Sequence, residues 1–318
     1  FRRLQSGSRD PDLKKMKKNR YRFLICIAAV LCCILTASCT GSGDTVYDYG
    51  TYDFMLRNSR GTYTAGQITV PETSGSCPLV FIAHGFKGTM NSGGAQELSQ
   101  RLSRIGIAAV RIDFNSRLTS DVNSAKADEY TLSDMTDDAV LAISYCIDKY
   151  NIDADRIGLY GRSMGGRAVM IMANESKGCE YKALALVAPA GNDSAMIYYM
   201  GGEAKWNEMK SEADRTGYTV KQGLKLTPQW FREFEEYNPA ETGYKFGDKP
   251  VLVFYNTLDN VVLPETSLEC AEAYGNCETV KVTTEDGHGY EMSYKESELK
   301  DMIMDRIAEH FRGALCTN

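Results

Sequence analysis

Histidine is scarce in this sequence, with only 3 among 318 residues. No histidines or cysteines occur at the spacings of metal-binding sites, so the sequence predicts no metal centre. Basic residues are outnumbered, 36 against 42 acidic ones, and no basic patch suits a phosphate backbone. Internal repeats and low-complexity runs are also lacking. These absences argue against a metal-binding protein, a nucleic-acid-binding protein and a repeat protein.

Long hydrophobic runs are missing as well. The longest apolar run, Phe23–Leu35, is shorter than the roughly 20 residues that a membrane-spanning helix needs. A basic stretch after Met16 precedes this run, and small residues follow it, which is the order of a secretory signal. Leu35-Thr36-Ala37-Ser38-Cys39 resembles a bacterial lipobox, although the leucine lies one position further back than usual.

The N-terminal segment therefore has a predicted organisation of its own. The chain begins with Phe, so we expect residues 1–15 to be upstream read-through or a fragment edge. Residues 16–38 are expected to be a lipoprotein-type signal peptide and residues 39–49 a tether. Lipidation of Cys39 would anchor the exported protein to the bacterial cell membrane, facing outward. An ordinary cleaved signal, which would make the protein secreted, and an uncleaved N-terminal anchor are the alternatives.

The chain after this segment is strongly acidic. Residues 1–38 contain nine of the basic and two of the acidic residues, which leaves a net charge of −13 for the remainder. Such a surface repels nucleic acid. We therefore expect no nucleic-acid partner.

Six cysteines follow Cys39, at positions 77, 146, 179, 270, 277 and 316. Six cysteines allow fifteen pairings, and the sequence does not choose among them. Cys146 lies on the apolar face of a predicted helix and is expected to be a buried thiol. A bond between Cys270 and Cys277 remains an alternative in an oxidising compartment.

From residue 50 onward, short apolar runs alternate with amphipathic stretches. Tyr52–Leu56 and Tyr63–Val70 predict a β-hairpin. Buried strands are predicted at 78–83, 106–114, 156–160, 183–188, 251–255 and 279–283. Helices are predicted at 93–105, 132–150 with Ser133 as its cap, 167–173, 268–274 and 301–311. This alternation predicts one α/β domain over residues 50–318, with a mostly parallel sheet and helices on both faces.

One segment interrupts this alternation. About sixty residues between positions 189 and 250 show no strand pattern, and they include both tryptophans, Trp206 and Trp230. Long insertions in compact domains are usually functional. We expect residues 191–247, called the cap below, to cover the active site; the alternative is a helical decoration whose aromatic residues only pack on the body.

The most informative motif is Gly161-Arg162-Ser163-Met164-Gly165, between a predicted strand and a predicted helix. A G-x-S-x-G motif in that setting is a nucleophile elbow, a sharp turn that exposes the serine hydroxyl. Side chains two residues before or after the serine would clash with neighbouring backbone, which explains Gly161 and Gly165. Ser163 is the predicted nucleophile.

A serine nucleophile needs a general base and an acid that orients the base. His288 lies in a glycine-flanked loop after the last predicted strand, whereas His310 is predicted on the terminal helix as a surface or packing residue. Asp259 follows the strand at 251–255 and completes the chain order Ser, Asp, His of α/β-hydrolases. Asp286 is the competing acid, but two residues from His288 its expected role is local turn hydrogen bonding.

The developing negative charge on a substrate carbonyl oxygen requires two N–H donors, an oxyanion hole. Met164, directly after the nucleophile, is the first candidate. The second is Phe86 in His84-Gly85-Phe86-Lys87-Gly88, where Gly85 allows a close approach of the backbone. We expect His84 to stabilise this loop by hydrogen bonds.

These motifs together resemble the α/β-hydrolase superfamily. The resemblance covers residues 50–312 and rests on the histidine–glycine loop at 84–88, the segment 111–115, the elbow at 161–166, Asp259 with Val261-Val262, and 286–288. Within the superfamily the chain is most similar to bacterial cinnamoyl (feruloyl) esterases and to related monoacylglycerol-lipase and serine-aminopeptidase-like hydrolases. The resemblance implies an eight-stranded sheet, a cap after the sixth strand, the triad Ser163, Asp259 and His288, and the oxyanion donors Phe86 and Met164.

Two departures from those esterases concern the substrate. Arg162 stands before the nucleophile, where they usually have histidine. Ser116-Arg117-Leu118-Thr119-Ser120 replaces a glycine-rich continuation at the rim of the site. Both leave the predicted chemistry intact.

The predicted function is that of an exported serine hydrolase that cleaves small-molecule carboxylic esters with an apolar or aromatic acyl group. No cofactor is implied, because side chains and water suffice for the reaction. The alternatives are an aminopeptidase or prolyl-type peptidase and a lipoprotein that binds a hydrophobic ligand without turnover. For an aminopeptidase, carboxylates of the cap would bind the substrate ammonium, with these candidates: Glu203, Glu208, Glu212, Glu233, Glu235 and Glu236.

Overall fold

A computed structural model describes residues 45–114 and 131–316 of the chain. The predicted signal peptide and Cys39 lie outside these residues, as does the departure at 116–120. The described residues form one compact unit. In the described ranges, no helix combines the length and the apolar character needed to cross a membrane.

Eight strands form the central sheet. They are β1 (Tyr49–Arg57), β2 (Tyr63–Pro71), β3 (Cys77–Ala83), β4 (Ala108–Asp113), β5 (Ile152–Arg162), β6 (Ala183–Val187), β9 (Val251–Asn256) and β10 (Cys277–Val282). Their order in space is β1-β2-β4-β3-β5-β6-β9-β10. The pairs β1–β2 and β2–β4 are antiparallel and all the other pairs are parallel. The predicted fold class and the eight-stranded sheet are thereby confirmed.

The main helices lie on both faces of this sheet. They are α1 (Ala95–Arg104), α2 (Leu132–Lys149), α3 (Met164–Glu175), α8 (Pro264–Glu272) and α9 (Glu298–Leu315). Helices α1 and α9 pack on one hydrophobic cluster, and α2, α3 and α8 on the other. Along β3, Leu79 and Phe81 belong to one cluster and Val80 and Ile82 to the other. A continuous apolar run is what a strand covered on both faces requires.

Helix α2 begins one residue after Thr131, and Thr131 rather than the predicted Ser133 is its N-cap. The Thr131 hydroxyl accepts a hydrogen bond from the Asp134 N–H at 3.2 Å, and the Asp134 carboxylate accepts one from the Thr131 N–H at 3.0 Å. This reciprocal capping box satisfies two donors at the helix start. Ser133 already lies inside the helix, so the predicted cap was wrong by two residues.

The cap contains helices and a small hairpin. Its elements are α4 (Asp193–Met200), α5 (Glu203–Thr216), β7 (Thr219–Lys221), β8 (Leu224–Leu226), α6 (Pro228–Glu236) and α7 (Pro239–Thr242). The strands β7 and β8 pair antiparallel around Gln222 and Gly223, both with positive φ, as a type I′ turn requires. The prediction of no strand in this segment was therefore wrong.

The six described cysteines are all free thiols. Cys146 is fully buried, and burial raises the pKa of its thiol to about 12. Its prediction as a buried free thiol is confirmed. Cys270 and Cys277 are not bonded to each other, so the alternative disulfide is not present.

Candidate active site

Ser163 lies in the turn between β5 and α3 and has a backbone conformation that is rare for a residue with a side chain. Its φ is 54° and its ψ is −123°. Its N–H donates to the Val187 carbonyl at 3.0 Å, and its carbonyl accepts from the Ala190 N–H at 3.1 Å. Strained backbone persists only where the surroundings fix it, and it concentrates at functional sites. The turn thus has the strained geometry that the G-x-S-x-G motif predicts for a nucleophile elbow.

The two glycines of the motif have the steric role that the sequence predicted. A Cβ at Gly161 would lie 2.5 Å from the Gly165 carbonyl oxygen, and one at Gly165 would lie 2.4 Å from the His84 carbonyl oxygen. Real Cβ contacts of that length do not occur. Both positions therefore require glycine for the strand, the helix and the His84 loop to approach each other.

Asp259 and His288 are brought together at the carboxyl end of the sheet. The Asp259 side chain is 1% exposed, and its Oδ2 lies 2.8 Å from His288 Nδ1. Its Oδ1 accepts from the Val261 and Val262 N–H groups at 2.9 and 3.0 Å. An ionised carboxylate only accepts, so Nδ1 is the donor and Nε2 is left as the acceptor nitrogen of a neutral ring. This is the tautomer that a general base needs.

The loop that carries His288 is fixed by Asn256, the last residue of β9. The Asn256 amide donates to the Thr284 and Gly287 carbonyls, both at 2.8 Å. Its backbone N–H donates to the hydroxyl of Tyr290, a fully buried residue, at 2.7 Å. Sequence analysis missed Asn256 and Tyr290, since an asparagine after a strand is equally typical of any turn.

Asp286 is engaged within its own loop. Its Oδ2 accepts a hydrogen bond from the Glu291 N–H at 2.6 Å, whereas His288 is bonded to Asp259. The interpretation of Asp286 as a turn residue is confirmed. His310 packs against Phe311 on α9, as a packing residue.

His84 stabilises the loop beside the elbow. Its Nε2 accepts from the Phe114 N–H at 3.4 Å, so Nδ1 carries the proton and donates to the Gly85 carbonyl at 2.8 Å. Burial lowers the pKa of His84 to about 4. The side chain is therefore neutral at pH 7 and, as predicted, has a structural role.

Phe86, one predicted oxyanion donor, lines the same cavity as Ser163, and Met164, the other, directly follows Ser163 in the chain. In the part of the chain that is described, neither backbone N–H makes a hydrogen bond. A Cβ on Gly85 would lie 3.1 Å from Ser163 Cβ, which shows how closely the loop approaches the serine. Met164 is the first residue of α3, whose N-terminal N–H groups lack intrahelical acceptors and favour negative charge.

Ser163 and His288 open onto one cavity of about 200 Å³. Most of its wall is apolar, and three lining residues come from helix α4 of the cap. Several other aromatic residues of the cap pack on one another: Trp230 lies 4.2 Å from Phe234 and 5.7 Å from Trp206, between ring centroids. The described lining residues are Gly85, Phe86, Gly88, Ser92, Arg162, Ser163, Ala190, Ala195, Met196, Tyr199, Val261, Val262 and His288.

Arg162 is the only cation among those lining residues. Its Nη2 donates to the His288 carbonyl, and no acidic side chain within the described ranges forms an ion pair with it. In the same ranges, no group of three or more His, Cys, Asp or Glu side chains could bind a metal ion.

Comparison with known proteins agrees with this architecture. The profile of the prolyl oligopeptidase family matches residues 128–313. No curated protein matches the sequence significantly.

Several solved structures share the fold. Est1E from Butyrivibrio proteoclasticus, in a structure with ferulic acid bound, has 21% identity and a TM-score of 0.66, over 83% of this chain and 100% of that one. The esterase domain of a Rhodothermus marinus protein has 17% identity and a TM-score of 0.60, over 84% and 99%. A dienelactone hydrolase from Anabaena variabilis has 13% identity and a TM-score of 0.56, again over 84% and 99%.

At these identities the neighbours establish the fold alone, whereas the family profile spans more than half of the chain. The profile region contains the elbow serine and the hydrogen-bonded Asp259–His288 pair. The chain therefore belongs to the prolyl oligopeptidase family and is a serine hydrolase with the α/β-hydrolase fold.

Proposed function

We propose that this protein hydrolyses carboxylic esters through a triad of Ser163, His288 and Asp259. The observation that carries the proposal is the 2.8 Å contact between His288 Nδ1 and Asp259, at the wall of the cavity that Ser163 also lines. Asp259 accepts two backbone N–H bonds besides that contact, so its orientation is fixed. His288 thereby keeps Nε2 available for the serine hydroxyl.

In the proposed reaction, the Ser163 oxygen attacks the ester carbonyl carbon while His288 Nε2 takes the hydroxyl proton. The Phe86 and Met164 N–H groups stabilise the negative oxygen of the tetrahedral intermediate. The C–O bond to the alcohol then breaks, and the alcohol leaves with the proton from His288. Water attacks the resulting acyl-enzyme, with His288 again as the base, and the acid is released.

The acyl group is proposed to be apolar or aromatic and small. Phe86, Met196, Tyr199 and Val262 line the cavity, and Phe86 and Tyr199 meet edge to face with centroids 5.8 Å apart. The volume of about 200 Å³ is below the roughly 300–1,000 Å³ of sites for drug-sized ligands. The ferulic acid bound to Est1E is an aromatic acid of modest size, which supports the same class of acyl group.

Hydrolysis of p-nitrophenyl esters tests the proposal directly. A panel of acetyl, medium-chain and feruloyl esters, with Ser163→Ala as the control, gives both activity and acyl preference. We expect the variant to lose about 10⁶-fold in kcat, as other triad serines do. Equal rates in the two proteins would contradict the proposal.

A fluorophosphonate probe separates catalysis from ligand binding without turnover. The probe reacts with an activated serine, so it should label the native protein and not Ser163→Ala. Failure to label the native protein would favour the alternative of a non-catalytic lipoprotein that binds a hydrophobic ligand.

Peptide hydrolysis is the second candidate, because the family match is to prolyl oligopeptidases. The cap glutamates give it little support. Glu233 accepts from the Ser133 N–H at 2.8 Å and Glu235 binds Lys210 at 2.6 Å. Of the described residues that line the cavity, none is acidic, so none could bind a substrate ammonium there. Aminoacyl-coumarin substrates measure this activity, and rates above those on the esters would favour the peptidase.

We further propose that residues 16–38 direct export and that Cys39 is lipidated, which would anchor the enzyme to the outer side of a bacterial membrane. The support is the basic stretch, the short apolar run and the lipobox-like Leu35–Cys39, in the order of a secretory signal. Metabolic labelling with a palmitate analogue in a bacterial host should mark the native chain and not Cys39→Ser. Equal labelling of both chains would contradict lipidation at Cys39.

A further inference from the structure

The sheet alone does not fix the distance between Ser163 and His288. Ser163 follows β5 and His288 follows β10, and β6 and β9 lie between these strands. Neighbouring strands are about 4.8 Å apart, so the two strand ends are separated by roughly 14 Å. The His288 loop must therefore reach back across two strands. Its position depends on contacts other than the hydrogen bonds between neighbouring strands.

The strand and the turn that carry Asp259 make several hydrogen bonds to this loop. Asn256 and Asp259, from β9 and the turn after it, bind the loop at Thr284, Gly287 and His288. These bonds orient the histidine relative to the acid. They do not connect it to the strand of the nucleophile.

Arg162 makes that connection. It is the last residue of β5, it directly precedes Ser163, and its Nη2 donates to the backbone carbonyl of His288 itself. The planar guanidinium presents its donors in a rigid fork. A single side chain thus joins the main chain of the base to the main chain of the nucleophile.

The surroundings of Arg162 suit a fixed guanidinium. A Cβ on Gly93, which has a φ of 60°, would lie 2.7 Å from Arg162 Nη1, so the guanidinium packs directly on the backbone of the turn Ser92–Gly94. Within the described ranges Arg162 has no ion-pair partner, and its buried Nε makes no hydrogen bond. Among the described residues Arg162 binds a backbone carbonyl and no carboxylate, which suits a geometric role rather than a charge-neutralising one.

We propose that Arg162 is a positioning residue that sets the distance between the base and the nucleophile. The inference rests on the proposed triad and adds to it a residue that acts through the His288 main chain rather than on the reacting atoms. A misplacement of about 1 Å can cost about 10²-fold in rate. Loss of the Arg162 contact should therefore lower kcat by about that factor and leave KM nearly unchanged.

The test compares Arg162→Met and Arg162→Lys with Arg156→Met. Arg156 is a matched control because it lies on the same strand and donates to the Ser76 and Leu315 carbonyls at 2.9 and 3.3 Å, at the opposite end from Ser163. On a neutral p-nitrophenyl ester, Arg162→Met should lose about 10²-fold in kcat, and Arg162→Lys, which keeps an N–H donor, should recover part of it. Arg156→Met should keep the native kcat. The fluorophosphonate labelling rate should fall in parallel with kcat, since it needs the same base.

Three outcomes would overturn the inference. One is an unchanged kcat in Arg162→Met, and another is an equal loss in Arg156→Met, which would indicate a general effect of losing a β5 arginine. The third is a rise of KM confined to an ester with a free carboxylate, such as a succinate monoester, which would make Arg162 an anion-binding residue. Failure of the native protein itself to hydrolyse esters or to react with the probe would instead refute the proposed function.

Discussion

The cap and the remainder of the domain, called the body below, are stabilised by different means. In the body, hydrogen bonds to backbone groups fix the strained serine and the Asp259–His288 pair. In the cap, Trp206, Trp230 and Phe234 pack on one another. Directional bonds set positions accurately, whereas aromatic packing sets volume and shape. The proposed catalytic groups thus lie in the body, and the cap supplies part of the cavity wall.

Arg167 joins the two regions. It lies in the first turn of α3, is fully buried, and donates to the Phe234 and Tyr237 carbonyls at 2.7 and 2.6 Å at the C-terminal end of α6. It also binds the Asp193 carboxylate at 3.0 Å. Separating the cap from α3 would break these bonds, and hydrogen bonds of a charged group contribute about 1.5–3 kcal/mol each. Arg167 therefore ties the cap to the helix that begins after Ser163.

Of the substitutions that test this comparison, replacement of Asp259 in the body should have the largest effect, a loss of kcat. Asp259→Asn is expected to lower kcat by about 10⁴-fold, because an amide at this position can favour the wrong histidine tautomer. Asp286→Asn is the matched control, since Asp286 accepts a hydrogen bond from the Glu291 N–H in its own loop and the amide oxygen can still accept. Ester hydrolysis by both variants checks the prediction. Similar losses in the two variants would mean that the acid is wrongly assigned.

A substitution in the cap should act on stability instead. Trp230→Ala removes a side chain that is 1% exposed and should lower the free energy of unfolding by about 3–5 kcal/mol. Tyr244→Ala, at a residue that is 70% exposed, should change it by less than about 0.5 kcal/mol. Urea denaturation measures both. A Trp230→Ala variant of native stability would show that the cap core is not tightly packed.

Acid should weaken the body, because the two histidines whose pKa burial lowers, His84 and His310, lie outside residues 191–247. Burial lowers the pKa of His84 to about 4, below the ordinary value of about 6.5. Between these pH values the unfolded chain binds a proton that the folded chain does not. Stability should therefore fall as the pH drops from about 6.5 to about 4, by about 1.4 kcal/mol per pH unit from His84. Burial lowers the pKa of His310 as well, which adds to the loss.

Urea denaturation of the native protein and of His84→Gln at several pH values in this range tests that prediction. The variant should be less stable near pH 7 but should lose less stability per pH unit. Equal slopes would mean that His84 does not contribute to the acid sensitivity.

The smallest effect should come from a substitution in the part of the cavity wall that the cap supplies, and it should appear in the preference between substrates. Tyr199→Ala enlarges the cavity beside Phe86 and should change the preference between feruloyl and acetyl esters by about 10–200-fold in kcat/KM, while activity on the better ester persists. The ester panel gives this ratio directly. An unchanged ratio would show that α4 does not contact the acyl group.

The body was largely predictable from the sequence, because its signals are local. Gly161 and Gly165 flank the serine within five residues, and the buried strands appear as continuous apolar runs. Asn256 and Tyr290 were not predictable, since their contacts depend on two loops about thirty residues apart meeting in space. The hairpin β7–β8 was missed because three residues per strand are too few to show an alternating pattern.

The φ of 54° at Ser163 has a consequence for protein engineering. Such a conformation costs about 1–3 kcal/mol in a residue other than glycine, and the folded chain carries that cost whether or not substrate is bound. Glycine adopts the same angles without strain. A library selected for heat resistance alone would therefore enrich glycine at position 163 and discard the proposed nucleophile, so any such selection needs an activity screen beside it.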